Sequence, residues 1–410
     1  MKRTIALVLA ATVVSLLIGC SKDMSPIMAE NVRPLTPLEK KLVHSSNEFG
    51  FSLFKEIVHE DSSENIFVSP LSVSMALGMT LNGSAGETER AMKTTLGFGE
   101  MEIKSADQSY QSLIAYLLQA DPEVIFKLAN SIWYRNSFKF EQSFFDVTRK
   151  YFRAEVGGLN FDDPASVGTI NRWVDQSTNG KIKKILDSIA PQDVMFLINA
   201  IYFKGNWTYQ FKKEATRDAN FYLPDSSTLP VKMMNQSGTY DYFGTDQFQA
   251  IDLPYGDGAF SMTILLPKPG LSLDSLIAKL NPSRWADWTG KFEKKKGSIL
   301  LPKFTLKYRI TLNSVLEKLG MGIAFDSMKA DFTRMNKNGG IYISFVKHNT
   351  FAKVDEEGTE AAAVTVVGYG VTSVQGFLMV VNRPFLCVIR ERASNALIFM
   401  GKISHPEWWE

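Results

Sequence analysis

Residues 356–376, EEGTEAAAVTVVGYGVTSVQG, constrain the fold more than any other stretch of the chain. They lie between two strand-like runs, 341–354 and 377–381. About twenty residues with no turn signal in their first half exceed an ordinary connection in a compact domain. In an extended conformation Thr359, Ala361, Ala363, Thr365 and Val367 share one face, and Glu360, Ala362, Val364 and Val366 share the other. Small and β-branched side chains on both faces, with no proline before Pro384, describe a strand covered on both sides. An alanine-rich helix is the competing reading, and the β-branched run 364–367 weakens it. By position the segment is a connection, and by composition it is able to become a sheet's central strand.

The rest of the chain supplies the elements of an α+β fold. Helical spacing links Leu38, Leu42, Phe49, Leu53, Phe54, Ile57 and Val58. Ser69-Pro70 gives a hydroxyl N-cap followed by proline at the first helical position, and Asp163-Pro164 opens a helix carrying Ile170, Trp173 and Val174. Strand-like runs fall at 194–203, 260–266, 341–354, 377–381, 385–389 and 396–400. Helices thus gather in the first half and strands in the second, the segregation of an α+β chain. With 45% hydrophobic and 21% charged residues among 410, and no repeat or internal linker, one large domain over 38–406 is expected, followed by a short tail at 407–410. The 45 basic and 43 acidic side chains leave a net charge of +2, which excludes the strong positive field of a nucleic-acid binder. Lys294-Lys295-Lys296 reads as a solvated turn.

The N-terminus reads as an export signal. Lys2 and Arg3 precede an apolar stretch, 5–18, too short to span a bilayer and suited to a signal peptide. It ends Leu17-Ile18-Gly19-Cys20, which resembles the lipobox of bacterial lipoproteins. Residues 1–19 are then removed, Cys20 carries lipid, and residues 20–37, with Pro26, Pro34 and Pro37, form a flexible tether. The implied location is the bacterial cell envelope, periplasmic or surface-exposed, with the membrane reached through the lipid. The mature chain keeps one other thiol, Cys387, in the apolar run 385–389, where it reads as a small hydrophobe.

No catalytic constellation stands out, so an enzyme is disfavoured. HExxH, CxxC, phosphate-loop and GxSxG patterns are missing, and residues 82–86 fail the last because Asn82 occupies the first glycine position. His44, His59 and His405 read as surface residues and His348 as a hydrogen-bonded core imidazole. No metal and no cofactor are expected.

At the opening segment the chain resembles the serpins. Glu356-Glu357-Gly358-Thr359-Glu360-Ala361-Ala362-Ala363 is similar to the hinge of their reactive-centre loop, and Val381-Asn382-Arg383-Pro384-Phe385 to the strand that follows it. Further blocks agree in order: 65–72, 81–88, 199–207, Leu301-Pro302-Lys303-Phe304, Leu319-Gly320-Met321 and Phe399-Met400-Gly401-Lys402. The resemblance implies a monomeric suicide substrate for a serine protease, with a reactive-centre loop near 356–376 that joins the main sheet after cleavage. It assigns the bait bond to Thr372–Ser373, fifteen positions counted from Gly358, and a sheet-opening cluster to Ser69, Ser72, Asn199 and His348. It assigns Trp207 to the place where the loop first enters. Thr372 behind Val371 suits elastase-like proteases, with cysteine proteases as a further target class and Tyr369 as an alternative bait. The competing role is a non-inhibitory serpin, a binding or chaperone module, whose hinge commonly carries proline or bulky residues.

Overall fold

A computed structural model describes residues 33–359 and 376–409. Its helices are α1 (Pro37–Glu60), α2 (Pro70–Leu81), α3 (Gly86–Thr95), α4 (Ile103–Gln119), α5 (Gln142–Phe152) and α6 (Ala165–Ser177), then the short α7 (Leu273–Ile277), α8 (Pro282–Gly290), α9 (Asn313–Leu316) and α10 (Gly322–Phe325). Its strands are β1 (Asn65–Val68), β2 (Val124–Arg135), β3 (Glu155–Leu159), β4 (Met195–Asn206), β5 (Arg217–Tyr222), β6 (Thr228–Gly244), β7 (Phe248–Tyr255) and β8 (Phe260–Pro267), continuing with β9 (Glu293–Pro302), β10 (Phe304–Thr311), β11 (Lys347–Val354), β12 (Gly358–Thr359), β13 (Phe377–Val380), β14 (Phe385–Glu391) and β15 (Leu397–Ile403).

Local chemistry starts the helices where the sequence predicts. Thr36 and Glu39 form a reciprocal capping box ahead of α1, with Pro37 in the first turn. Glu39 also binds Arg33, and the guanidinium holds its carboxyl down at about 2. At α2 the Ser69 hydroxyl accepts from the Ser72 amide, with Pro70 next in line. Nearly every side chain of α2 is buried, because the helix runs between the two sheets and packs on β4 and β15.

The strands form a nine-stranded sheet, ordered β1-β15-β14-β8-β7-β6-β9-β13 with β5 on β6, and a six-stranded sheet, ordered β10-β11-β12-β4-β2-β3. The α+β class holds, but the segregation is looser than expected: β2, β3 and β4 lie in the first half of the chain and build much of the six-stranded sheet. The expected strand over 341–354 begins only at Lys347. Backbone groups of 341–346 are committed elsewhere: the Ile343 amide donates to Ala324 O at 2.9 Å, the Leu312 amide to Val346 O at 2.8 Å, and the Val346 amide to Asn313 Oδ1 at 2.9 Å. Lys294-Lys295-Lys296 is also not a turn; it opens β9, where Lys294 pairs with Asp241 at 3.1 Å. Cys387 is buried in β14, and burial pushes its thiol up to about 12, which leaves it inert.

Candidate functional site

Among the described residues, the two residues of β12 link the halves of the six-stranded sheet at its centre. Thr359 of β12 pairs with Val354 of β11 on one side and Gly205 of β4 on the other, and Gly358 pairs with Asn206. β4 and β11 are neighbours of β12, not of each other. Beyond Thr359, therefore, the inner edges of β4 and β11 run on side by side with no further strand between them among the described residues. Both are antiparallel to β12, so they are parallel to each other, and the strand that fits this slot is an antiparallel continuation of β12. Such edges present backbone donors and acceptors that call for a partner strand.

The upper end of the slot is built around a tight reversal. Asp355 Oδ1 accepts from the Glu357 amide at 3.0 Å and the Gly358 amide at 3.3 Å, an Asx turn that folds the chain back beside β11. Gly358 must be glycine: a Cβ there would lie 2.1 Å from the Gly205 carbonyl oxygen. Trp207 stacks on Tyr255 with ring centroids 4.5 Å apart, its indole N–H donates to Asp355 O at 2.9 Å, and its amide donates to Glu357 O at 2.8 Å. Glu356 meets Lys303 Nζ at 2.8 Å and the Thr216 hydroxyl at 2.7 Å, so its carboxyl sits below the usual range despite burial. Glu357 pairs with Lys213 at 2.5 Å. Thr359 is buried, and its hydroxyl shares a 2.6 Å hydrogen bond with the Tyr255 hydroxyl.

Deeper in, the two edges are fastened to α2. His348 of β11 accepts from the Ser69 amide through Nε2 at 2.9 Å, and burial holds its imidazole down at about 4, so it is neutral. On β4 the Ser72 hydroxyl donates to Asn199 Oδ1, and the Asn199 amide donates to Asn130 Oδ1 on β2. Asn130 in turn donates to Phe152 O at 2.6 Å. His348 and Asn199 therefore stand on opposite sides of the slot, each tied to the first turn of α2.

Of the predicted site residues, the structure brings Ser69, Ser72, Asn199 and His348 together, and sets Trp207 against the hinge. Glu356, Glu357, Gly358 and Thr359 are buried in the sheet's upper end, so the exposed loop expected from 356 does not start there. Glu360, Ala361, Ala362, Ala363, Thr372, Ser373 and Cys20 lie outside the described residues. Sequence reasoning missed Asn130, Thr216, Tyr255, Lys303 and Asp355. Asp355 adjoins the quoted hinge and Lys303 lies within the quoted block 301–304, although no role is assigned to either from sequence; Asn130, Thr216 and Tyr255 carry no local signal, since their partners lie far away in the chain. The tail is also placed: Glu407 O accepts from the Thr305 amide at 2.7 Å, and Trp408 lies under Lys303 and Trp409 under Lys307, at 4.0 and 4.5 Å from ammonium to ring centroid.

Comparison with known proteins gives one consistent answer. A family model described as Serpin (serine protease inhibitor) matches residues 44–406. Human Serpin B13 is 34% identical over 386 residues, covering 88% of this chain and 98% of its own length. An uncharacterised serpin-like protein of Thermococcus kodakarensis is 30% identical, covering 90% of this chain and 87% of its own. The native-state crystal structure of the thermophilic serpin tengpin superimposes with a TM-score of 0.83 at 31% identity, over 92% of this chain and 98% of tengpin. Human thyroxine-binding globulin complexed with its hormone superimposes with a TM-score of 0.83 at 25% identity, over 90% of this chain and 100% of its own. The bare negative drawn from missing catalytic motifs is corrected by these matches: the family description assigns its members a positive role, inhibition of serine proteases.

Proposed function

This chain belongs to the serpin family, and from that premise we propose that it traps a serine protease in a single turnover, using Thr372–Ser373 as bait and the slot between β4 and β11 as the receiver of its cut loop. The protease's serine oxygen attacks the Thr372 carbonyl. The Thr372–Ser373 bond breaks, the Ser373 amine leaves with a proton, and Thr372 remains as an ester on the protease. Hydrolysis of that ester competes with insertion of the freed loop.

The observation that carries the reading is the register of β12. Continued six residues beyond Thr359, it brings Thr365 opposite Asn199 on β4 and His348 on β11, on the same face as Thr359. Ala361 and Ala363 share that face, and their small side chains ask little room. Seventeen residues from Glu356 to Thr372, at ~3.3 Å each, carry the tethered protease about 55 Å, to the far end of the sheet. New ladder hydrogen bonds at about 1 kcal/mol net each, with burial of the valines, drive the step. β-Branched Thr372 favours elastase-like enzymes; cysteine proteases that form a thioester with the same carbonyl are a further class.

Mixing the mature protein with a panel of serine proteases should yield a covalent complex stable in detergent, with the protease acylated on Thr372. Cleavage without a complex, and without a rise in thermal stability of the cut chain, would reject trapping. It would favour a binding module instead, the reading suggested by the likeness to thyroxine-binding globulin. Export and lipid attachment through Cys20 complete the proposal, placing the inhibitor in a bacterial envelope. The substitution Cys20→Ala should move the protein from the membrane to the soluble fraction; an unchanged membrane fraction would reject the anchor.

A further inference from the structure

The chain leaving α6 crosses the slot. On one side, α6 and the residues after it form a second apolar core with β2 and β4, in which Ile170, Val174 and Leu186 pack with Trp133, Phe161 and Phe196. On the other side, Lys184 O accepts from Arg309 of β10 at 3.1 Å and from Asn349 of β11 at 3.3 Å. This strap is thus tied to both banks, on the sheet face away from α2. Beneath its outer end lies a cavity between the strap and the face of β10 and β11.

Six cations line that cavity: Lys181, Lys183 and Lys184 from the strap, Lys307 and Arg309 from β10, and Lys353 from β11. No described carboxylate lines it, and Asp187 beside it on the strap pairs with Lys184 at 2.8 Å. The Lys307 ammonium sits 4.5 Å from the Trp409 ring centroid and Lys181 5.2 Å from that of Phe351, so the aromatic walls steady the cations. With an ammonium over one face of each ring, the aromatics serve the cations, and the site reads charge. The chain's near-neutral total conceals this cluster, because its members come from three separate segments.

We propose that this cavity binds a linear polyanion, a molecule carrying several phosphate or sulfate groups in a row. Bound across strap and sheet, the polyanion relieves the repulsion among the cations and holds the strap down on β10 and β11. A strand entering the slot beneath the strap must lift or shift it, so the bound polyanion slows loop insertion; this consequence rests on the proposed trapping function.

Two probes separate the sources of such chemistry: inorganic polyphosphate and a sulfated oligosaccharide, titrated calorimetrically into the mature protein. Binding by either supports the site, the tighter probe naming the source, and affinity should fall about tenfold or more between low and physiological salt. The double variant K183E/K307E should lose at least about tenfold in affinity while K93E, on α3, keeps it. The double variant should also trap protease normally without polyanion and be immune to the polyanion's slowing effect. Failure of both probes, unchanged binding by K183E/K307E, or equally tight binding to phosphatidylglycerol vesicles would overturn the proposal. Calorimetry reads the site whether or not any protease is trapped, so a failure of inhibition alone falls on the trapping reading.

Discussion

Replacing Thr359 with arginine should turn the inhibitor into a plain substrate: the protease still cuts the loop, but the yield of covalent complex drops at least about tenfold, because insertion competes directly with hydrolysis. Thr359 is buried, and its hydroxyl is spent on Tyr255 at 2.6 Å. A guanidinium there would be an unpaired buried charge, at a cost of several kcal/mol, and would abandon the Tyr255 hydroxyl as well. Thr359 already pairs with Val354 and Gly205 in the uncut protein, so an arginine that cannot be buried there should force β12 out of the slot's upper end, and the rest of the loop then loses the strand it would extend on insertion. The substitution T359S keeps the hydroxyl and should trap normally. The variants separate in two measurements: complex per mole of protease on a gel, and the gain in melting temperature on cleavage. Full complex formation by T359R would contradict insertion through the β4–β11 slot.

Thr359 also marks how far the sequence could be read. Its face, shared with Ala361, Ala363, Thr365 and Val367, follows from the two-residue period of a strand, whereas a sheet that receives the strand is implied only by the resemblance to serpins. What periodicity could not supply was where the inserting strand begins. Glu356 is an acidic residue in a loop by every local rule, yet it is buried because Lys303 and Thr216, 53 and 140 positions away, satisfy its carboxylate. Residues 341–346 failed in the opposite sense. Their apolar, β-branched character matches a strand, but α9 and α10 capture their backbone groups, a competition invisible to a window. Asn130 was missed for a third reason: a lone asparagine in an apolar run is unremarkable until Asn199 is seen opposite it.

Acid should loosen the same sheet through His348, although a neighbouring effect hides it in the unmodified protein. The imidazole is neutral in the fold, held down at about 4 from an ordinary 6.5, and accepts the Ser69 amide hydrogen bond. Between pH 6.5 and 4 the unfolded chain binds this proton and the folded chain does not, so stability falls as the pH falls through that window, by about 3 kcal/mol in all. Asp107 on α4 works the other way. Burial pushes its carboxyl up to about 7, with only Asn82 at 2.8 Å to hold the ionised form. The folded state therefore takes up that proton first, and Asp107 adds stability as the pH falls from about 7 towards 4. The two slopes oppose each other, so the wild type should melt at nearly the same temperature across the overlap. D107N should be more stable than wild type near neutral pH and then lose stability steeply on acidification. H348Q, whose side-chain oxygen can still accept from Ser69, should instead gain stability over the same range, until carboxylates held low by partners, such as Glu39 at about 2, begin to protonate. Parallel melting curves for the two variants would mean that neither group titrates as its surroundings dictate. Because a charged His348 can no longer accept from Ser69, it also frees β11 from α2. Spontaneous loss of inhibitory activity on standing should therefore be faster near pH ~4 than at neutrality in the wild type, and this acceleration should be missing in H348Q.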